Sequence, residues 1–114
     1  AEHLYQARKT LDEAERDWIR SAPTALEARD RGRQATLRAD FDSVGVMRSV
    51  ISAKFKQHIP LQRWLLDTGD ATLLEDTRDA FWGVGPTGRG KNTLGRLLME
   101  LRTEFRDRRK IYAD

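Results

Sequence analysis

The sequence predicts a mostly α-helical domain of the α+β class, with two or so short strands. Three observations carry that expectation. Apolar residues recur at three- and four-residue spacing through most of the chain, as the buried face of a helix requires. Breakers separate those runs, with Pro23 and Pro60 between helical stretches and Gly69 after one of them. Runs short enough for strands are confined to residues 72–75 and 80–84. A length of 114 residues suits one domain with one core, and residues 1–114 are expected to form it.

Residues 4–19 read as one helix: Leu4, Ala7, Leu11, Ala14 and Trp18 share a face, while Arg8, Lys9, Asp12, Glu13 and Arg16 lie mostly off it. Ser21 to Pro23 stops it. A second, very polar helix begins at Pro23 or Thr24, where a proline's missing N–H costs little, and runs to about Arg33. Its apolar anchors are Ala25, Leu26 and Ala28, which predicts a helix lying across the surface. Residues 34–44 contain Asp40-Phe41-Asp42, a loop ending in a helix cap. Met47, Val50, Ile51 and Phe55 form the stripe of a helix over 46–58, broken by Pro60. Leu61, Trp64 and Leu65 open a short helix that stops at Thr68-Gly69-Asp70, where Gly69 suits the left-handed C-terminal position. Leu73 and Leu74 mark the first strand candidate, and Ala80 to Val84 the second. The last helix carries Leu94, Leu97, Leu98, Leu101 and Phe105 on one face. The basic residues 102–110, with Phe105 and Ile111, continue it.

The chain is 39% hydrophobic and 34% charged, with 21 Lys and Arg against 18 Asp and Glu for a net charge of +3. The signs are mixed along the chain, so composition neither demands nor excludes a nucleic-acid partner. The absence of cysteine excludes disulfides, thiolate metal sites and cysteine nucleophiles. A zinc site built on His3 and His58 needs carboxylates to complete it, so neither metal nor cofactor is expected. No apolar run approaches the roughly 20 residues of a membrane span, and no signal peptide is visible, which predicts a cytoplasmic protein with no membrane partner. The chain opens on Ala1-Glu2 rather than Met and reads as a processed chain or a fragment.

Between residues 80 and 92 lies the sharpest local signal. Gly83, Gly85, Gly88 and Gly90 let the backbone approach a ligand closely, and the helix N-terminus behind them suits an anion. A flexible surface turn is the plainer alternative. Gly85-Pro86-Thr87-Gly88-Arg89-Gly90-Lys91 also matches the G-x-x-x-x-G-K of a P-loop. Against it, Asn92 stands where magnesium needs Ser or Thr, and too little chain follows for the acidic strand of a nucleotide site. Among the acids, Glu2, Glu75 and Asp79 each sit beside aromatic or apolar residues, an environment that suits general acid–base chemistry. For any single one, a helix cap or a partner of one of the many arginines is the plainer reading.

Together these residues resemble the NADAR family, associated with NAD and ADP-ribose metabolism. The resemblance covers nearly the whole chain. It rests on residues 1–9 (AEHLYQARK), Met47, 53–57 (AKFKQ), 65–69 (LLDTG), 73–75 (LLE), 79–85 (DAFWGVG) and 90–99 (GKNTLGRLLM). Phe41 stands where the family carries a tryptophan. Family members begin with a segment of short strands ahead of the block that opens this chain. The resemblance therefore implies a domain lacking that segment, which is absent, removed or supplied by another chain.

The resemblance implies hydrolysis of the N-glycosidic bond of a phosphorylated riboside. Two substrate classes are associated with the family: ADP-ribose on guanine, including guanine in nucleic acid, and ribosylamino-pyrimidine intermediates of riboflavin synthesis. Breaking a C1′–N bond builds positive charge on the ribose, which a carboxylate stabilises while orienting water. Glu2 is assigned that place and Asp79 the second acidic role. Tyr5 and Trp82 are assigned to stacking, and Lys9, Lys54 and residues 88–92, with Gly88, Gly90 and Asn92, to phosphate. Glu75 and Gly83 complete the substrate-binding set. A non-catalytic binder of ADP-ribose is the alternative, and a P-loop nucleotidase a third. The basic Arg102, Arg106, Arg108, Arg109 and Lys110 are consistent with a nucleic-acid backbone or with a solvated helix end.

Overall fold

The computed structural model describes residues 1–113, with side chains through Arg109. Lys110 and Ile111, assigned above to the basic tail and the last apolar face, have side chains outside the described residues. The described residues form six helices: α1 (Glu2–Ala7), α2 (Glu13–Arg20), α3 (Ala25–Gln34), α4 (Ser43–Gln57), α5 (Ile59–Asp67) and α6 (Thr93–Ala113). The chain divides into two compact units, Ala1–Ile51 and Ser52–Asp114.

In the first unit, the single helix expected over 4–19 is two. Thr10 breaks it: the buried hydroxyl accepts from the Asp12 N–H (3.1 Å) and donates to Glu15 Oε2 (2.6 Å). Asp12 Oδ1 then accepts from the Glu15 N–H (2.9 Å) and caps α2. These local bonds outcompete continuation of α1. The expected apolar face is therefore split, with Ala7 buried while Leu11 and Trp18 stay exposed. Ala7, Ile19, Ala22 and Ala28 make the actual core, with Ala35 against it, as α1, α2 and α3 pack on one another. Leu26, expected as an anchor of α3, is instead 65% exposed. Thr24 caps that helix by accepting from the Glu27 N–H at 3.1 Å. Glu15 also receives the Thr36 N–H (2.9 Å) and hydroxyl (3.0 Å). The bonds from Thr10 and then Thr36 hold its carboxyl below the usual value of 4.5. Asp42 ends the loop before α4 as expected, its Oδ1 accepting from the Gly45 N–H at 3.0 Å.

In the second unit, Pro60 sits in the first turn of α5, where it does not break the helix. Gly69 takes φ 63° just past its end. Phe55, Leu65, Leu97, Leu101 and Phe105 are buried as their spacing predicts, and α5 packs on α6.

Neither expected strand forms, and no strand occurs among the described residues. Residues 72–75 pair with a side chain instead of a neighbouring strand: Asn92 Nδ2 donates to the Leu73 carbonyl (2.8 Å), and its Oδ1 accepts from the Glu75 N–H (2.9 Å). Residues 80–84 curl into a turn because Asp79 Oδ1 accepts from the N–H groups of Phe81 and Trp82, both at 2.8 Å. Most of the basic tail is also committed. Buried Arg102 donates to Thr68 Oγ1 (2.9 Å) and the Ala71 carbonyl (2.8 Å), and Arg106 to Asp70 (3.0 Å) and the Gly69 carbonyl (2.6 Å). Arg108 pairs with Glu104 at 2.9 Å.

Candidate functional site

Glu2, Tyr5 and Lys9 belong to the first unit. Glu2 opens α1, and its Oε1 accepts from Gln6 Nε2 at 3.0 Å and from Arg29 Nε on α3 at 3.2 Å. One carboxylate oxygen is thus held by two donors while the group stays partly exposed, its side chain 24% accessible. Gln6 is buried, and its Oε1 has no hydrogen-bond partner among the described residues. It lies against α3 where a Cβ on Gly32 would collide with it, so the absence of a side chain at Gly32 makes room for the residue that holds Glu2.

Lys9 is half-buried. Burial lowers its pKa below the usual 10.5; nearby Glu2 opposes that shift, and Arg33 reinforces it. Its Nζ stands 5.6 Å from the centre of the Tyr5 ring. Tyr5 is buried and meets Phe41 edge-on, with centroids 5.7 Å apart and planes at 68°. Tyr5 thus meets both Phe41 and the Lys9 ammonium through its ring. His3 Nε2 bonds the Ala22 carbonyl at 2.8 Å and ties α1 to the turn after α2.

The second unit brings Glu75, Asp79, Trp82, Gly83, Gly88, Gly90 and Asn92 into one loop system ahead of α6. Asp79 is exposed, with Oδ1 fixed by the two amides of its turn. Trp82 is half-exposed, its ring 4.8 Å from that of Phe81. Lys91 Nζ lies 5.8 Å from the Phe81 ring centre. The Glu75 carbonyl accepts from the N–H groups of Thr77 (3.1 Å) and Val84 (3.0 Å). Lys54 is exposed on α4.

The loop's amides point inward. Gly88 donates to the Gly85 carbonyl, Gly90 to Val84, Lys91 to Ala80, Asn92 to Gly83, Thr93 to Phe81 and Leu94 to Trp82. A P-loop offers such amides outward to phosphate, so this loop lacks the feature that the nucleotidase alternative needs. Gly83 and Gly90 give close packing instead. A Cβ on Gly90 would meet the Gly83 carbonyl oxygen at 2.5 Å and the Ala80 carbonyl oxygen at 2.8 Å, and one on Gly95 would strike the Asn92 amide and the Leu73 carbonyl. Asn92 takes φ 52° to aim its amide at residues 73–75.

Three features escaped the sequence reading: the Gln6 and Arg29 grip on Glu2, the Asn92 clasp, and a cleft of about 500 Å³ in the first unit rimmed by arginines. The i, i+4 spacing of Glu2 and Gln6 was a usable signal for the first. No local pattern signals the other two, because their partners are distant in sequence. Among the described residues, no group of three or more His, Cys, Asp or Glu is placed to hold a metal ion. No helix is long and apolar enough to cross a membrane.

A NADAR-domain family model matches residues 1–106. The chain is 48% identical over 110 residues to the N-glycosidase YbiA of Shigella boydii, covering 92% of this chain and 69% of that protein. It is 41% identical over 112 residues to a riboflavin biosynthesis protein of Vibrio vulnificus, covering 94% of this chain and 30% of that protein. The NMR structure of YbiA from Escherichia coli superposes with a TM-score of 0.85 at 45% identity, covering 95% of this chain and 67% of that one.

Proposed function

This chain belongs to the NADAR family and is a hydrolase of N-glycosyl bonds, and from that premise we propose that it cleaves the C1′–N bond of a phosphorylated riboside. ADP-ribose attached to guanine is the first candidate substrate, and a ribosylamino-pyrimidine the second. Water adds at C1′ while the base nitrogen leaves with a proton, so one C–O bond replaces one C–N bond.

The observation that carries this reading is the held carboxylate of Glu2. Gln6 and Arg29 anchor one oxygen and leave the group partly exposed, an arrangement suited to stabilising positive charge on ribose and orienting water. Asp79 takes the second acidic role. Trp82 stacks on ribose or base, Lys9 and Lys54 meet phosphate, and Gly83, Gly88, Gly90, Glu75 and Asn92 shape the loop around Asp79. The pyrimidine alternative draws support from relatives named as riboflavin biosynthesis proteins in Vibrio vulnificus and Zea mays. Arg102 and Arg106 are held by internal hydrogen bonds, so any contribution of the basic tail to a nucleic-acid substrate falls to its other cations.

A two-substrate assay tests the proposal. Free guanine base or guanine nucleotide and ADP-ribose should appear from a guanine–ADP-ribose adduct faster than free pyrimidine appears from a ribosylamino-pyrimidine phosphate. The reverse order makes the pyrimidine the substrate, and release from neither overturns the reading.

A further inference from the structure

α1 has two working faces. Glu2 and Gln6 occupy one; Leu4, Ala7 and Arg8 line a cleft on the other. The cleft is closed by Arg16 and Arg20 of α2 and by the segment from Arg38 to Val46. Its volume, about 500 Å³, lies within the range of roughly 300–1,000 Å³ typical of small-molecule sites. Leu4, Ala7, Phe41 and Val46 give it apolar surface, and four guanidinium groups face two carboxylates, Asp40 and Asp42.

The balance of commitments favours an anion. Arg38 is matched to Asp40 by two short bonds, 2.6 and 2.9 Å, which neutralise that acid. Asp42 is occupied as the cap of α4. Arg16 gives its Nε to the Thr10 carbonyl (2.8 Å) and its Nη1 to Glu13 (3.1 Å). Arg8 bonds Ser49 Oγ only at 3.4 Å, the long edge of hydrogen bonding. Arg20 faces Asp17 at 3.5 Å as an exposed i, i+3 pair, an arrangement worth little. With five N–H donors on each guanidinium, Arg8 and Arg20 keep donors for a ligand whose charge replaces these weak contacts.

We propose that this cleft binds a nucleotide, with its phosphate between Arg8 and Arg20 and the flat body of its base or sugar on the apolar wall. The site is separate from the carboxylate assigned to hydrolysis. Its nucleotide comes either from solution or from a nucleic-acid strand.

Titration calorimetry on the full chain with AMP, inorganic phosphate and an octathymidylate tests this without any turnover, so a failure of the glycosidase reading leaves the outcome intact. AMP should bind, with inorganic phosphate about tenfold weaker because it lacks the apolar body. The double variant Arg8→Gln/Arg20→Gln should weaken AMP by about tenfold or more, with circular dichroism unchanged because both side chains are exposed. If the octathymidylate binds more tightly than AMP, and the double variant lowers its salt slope by about 1.4 (about 0.7 for each cation removed on a single strand), the source is a strand. If AMP binds as tightly as the octathymidylate, the source is a free nucleotide. The proposal is overturned if AMP gives no binding at millimolar concentration, if phosphate binds as tightly as AMP, or if the double variant binds AMP like the wild type.

Discussion

Glu2 and Asp79 are the two carboxylates assigned to the chemistry, and the molecule holds them by different means. Two side chains, Gln6 and Arg29, reach Glu2, one from its own helix and one from α3. Two backbone amides of its own turn hold Asp79, and that turn is itself locked by glycine packing and by Asn92. The first arrangement is adjustable side chain by side chain. The second is part of the backbone, so most substitutions around Asp79 should act through stability, whereas those around Glu2 should act through rate.

The largest stability effect that breaks this comparison belongs to Gly90. Gly90→Ala forces a methyl group against two carbonyl oxygens and should cost about 3 kcal/mol in urea unfolding. Gly88, at φ 75° with open space around it, should cost about 1 kcal/mol for the same change, from backbone strain alone. Equal costs at the two positions would mean that the loop is not packed as described.

Asn92→Gly keeps the positive φ but removes the clasp on Leu73 and Glu75, for an expected loss of about 2 kcal/mol. Gln6→Met sharpens the other side of the comparison. It removes a buried oxygen that has no partner among the described residues, so stability should stay within about 1 kcal/mol of wild type. Turnover should nevertheless fall about tenfold as Glu2 loses one of its two anchors. A variant that loses stability and keeps its rate would put Gln6 in the core and out of the site.

The smallest effect concerns pH. The carboxyl of Glu15 has a depressed folded pKa, so its contribution is complete above the ordinary value of 4.5 and is lost as pH falls through the folded value. Glu15→Gln should therefore melt below wild type at pH 7, with the gap closing as the pH falls below 4.5 and through the depressed folded value. A gap that stays constant with pH would show that the charge of Glu15 does not contribute.

Local periodicity made much of the helical layout legible. The stripe from Leu94 to Phe105 and that of α4 are buried or half-buried as their spacing predicts, because a long helix with one apolar face has few alternatives. The break at Thr10 was also written locally, in the Asp12 to Glu15 capping spacing, but an apparent apolar face running through Leu11 masked it. The missing strands were not legible in the same way. Leu73-Leu74 reads as a strand until Asn92, seventeen residues later, takes the backbone groups that a ladder would use. Asp79 is singled out by its apolar neighbours and by the family resemblance, yet its grip on the turn depends on side-chain geometry that no spacing encodes. The cationic cleft is the extreme case, assembled from arginines scattered between Arg8 and Arg38.

The central claim is that the two carboxylates carry C1′–N hydrolysis. The most direct measurement is single-turnover release of free base by Glu2→Gln and Asp79→Asn, each paired with its melting curve. An asparagine oxygen still accepts from the Phe81 and Trp82 amides, and a glutamine oxygen from Gln6 and Arg29, so both variants should melt close to wild type. Both should release base at least about 100-fold more slowly. Release at the wild-type rate by either folded variant would contradict its assignment, and by both would contradict the claim as a whole.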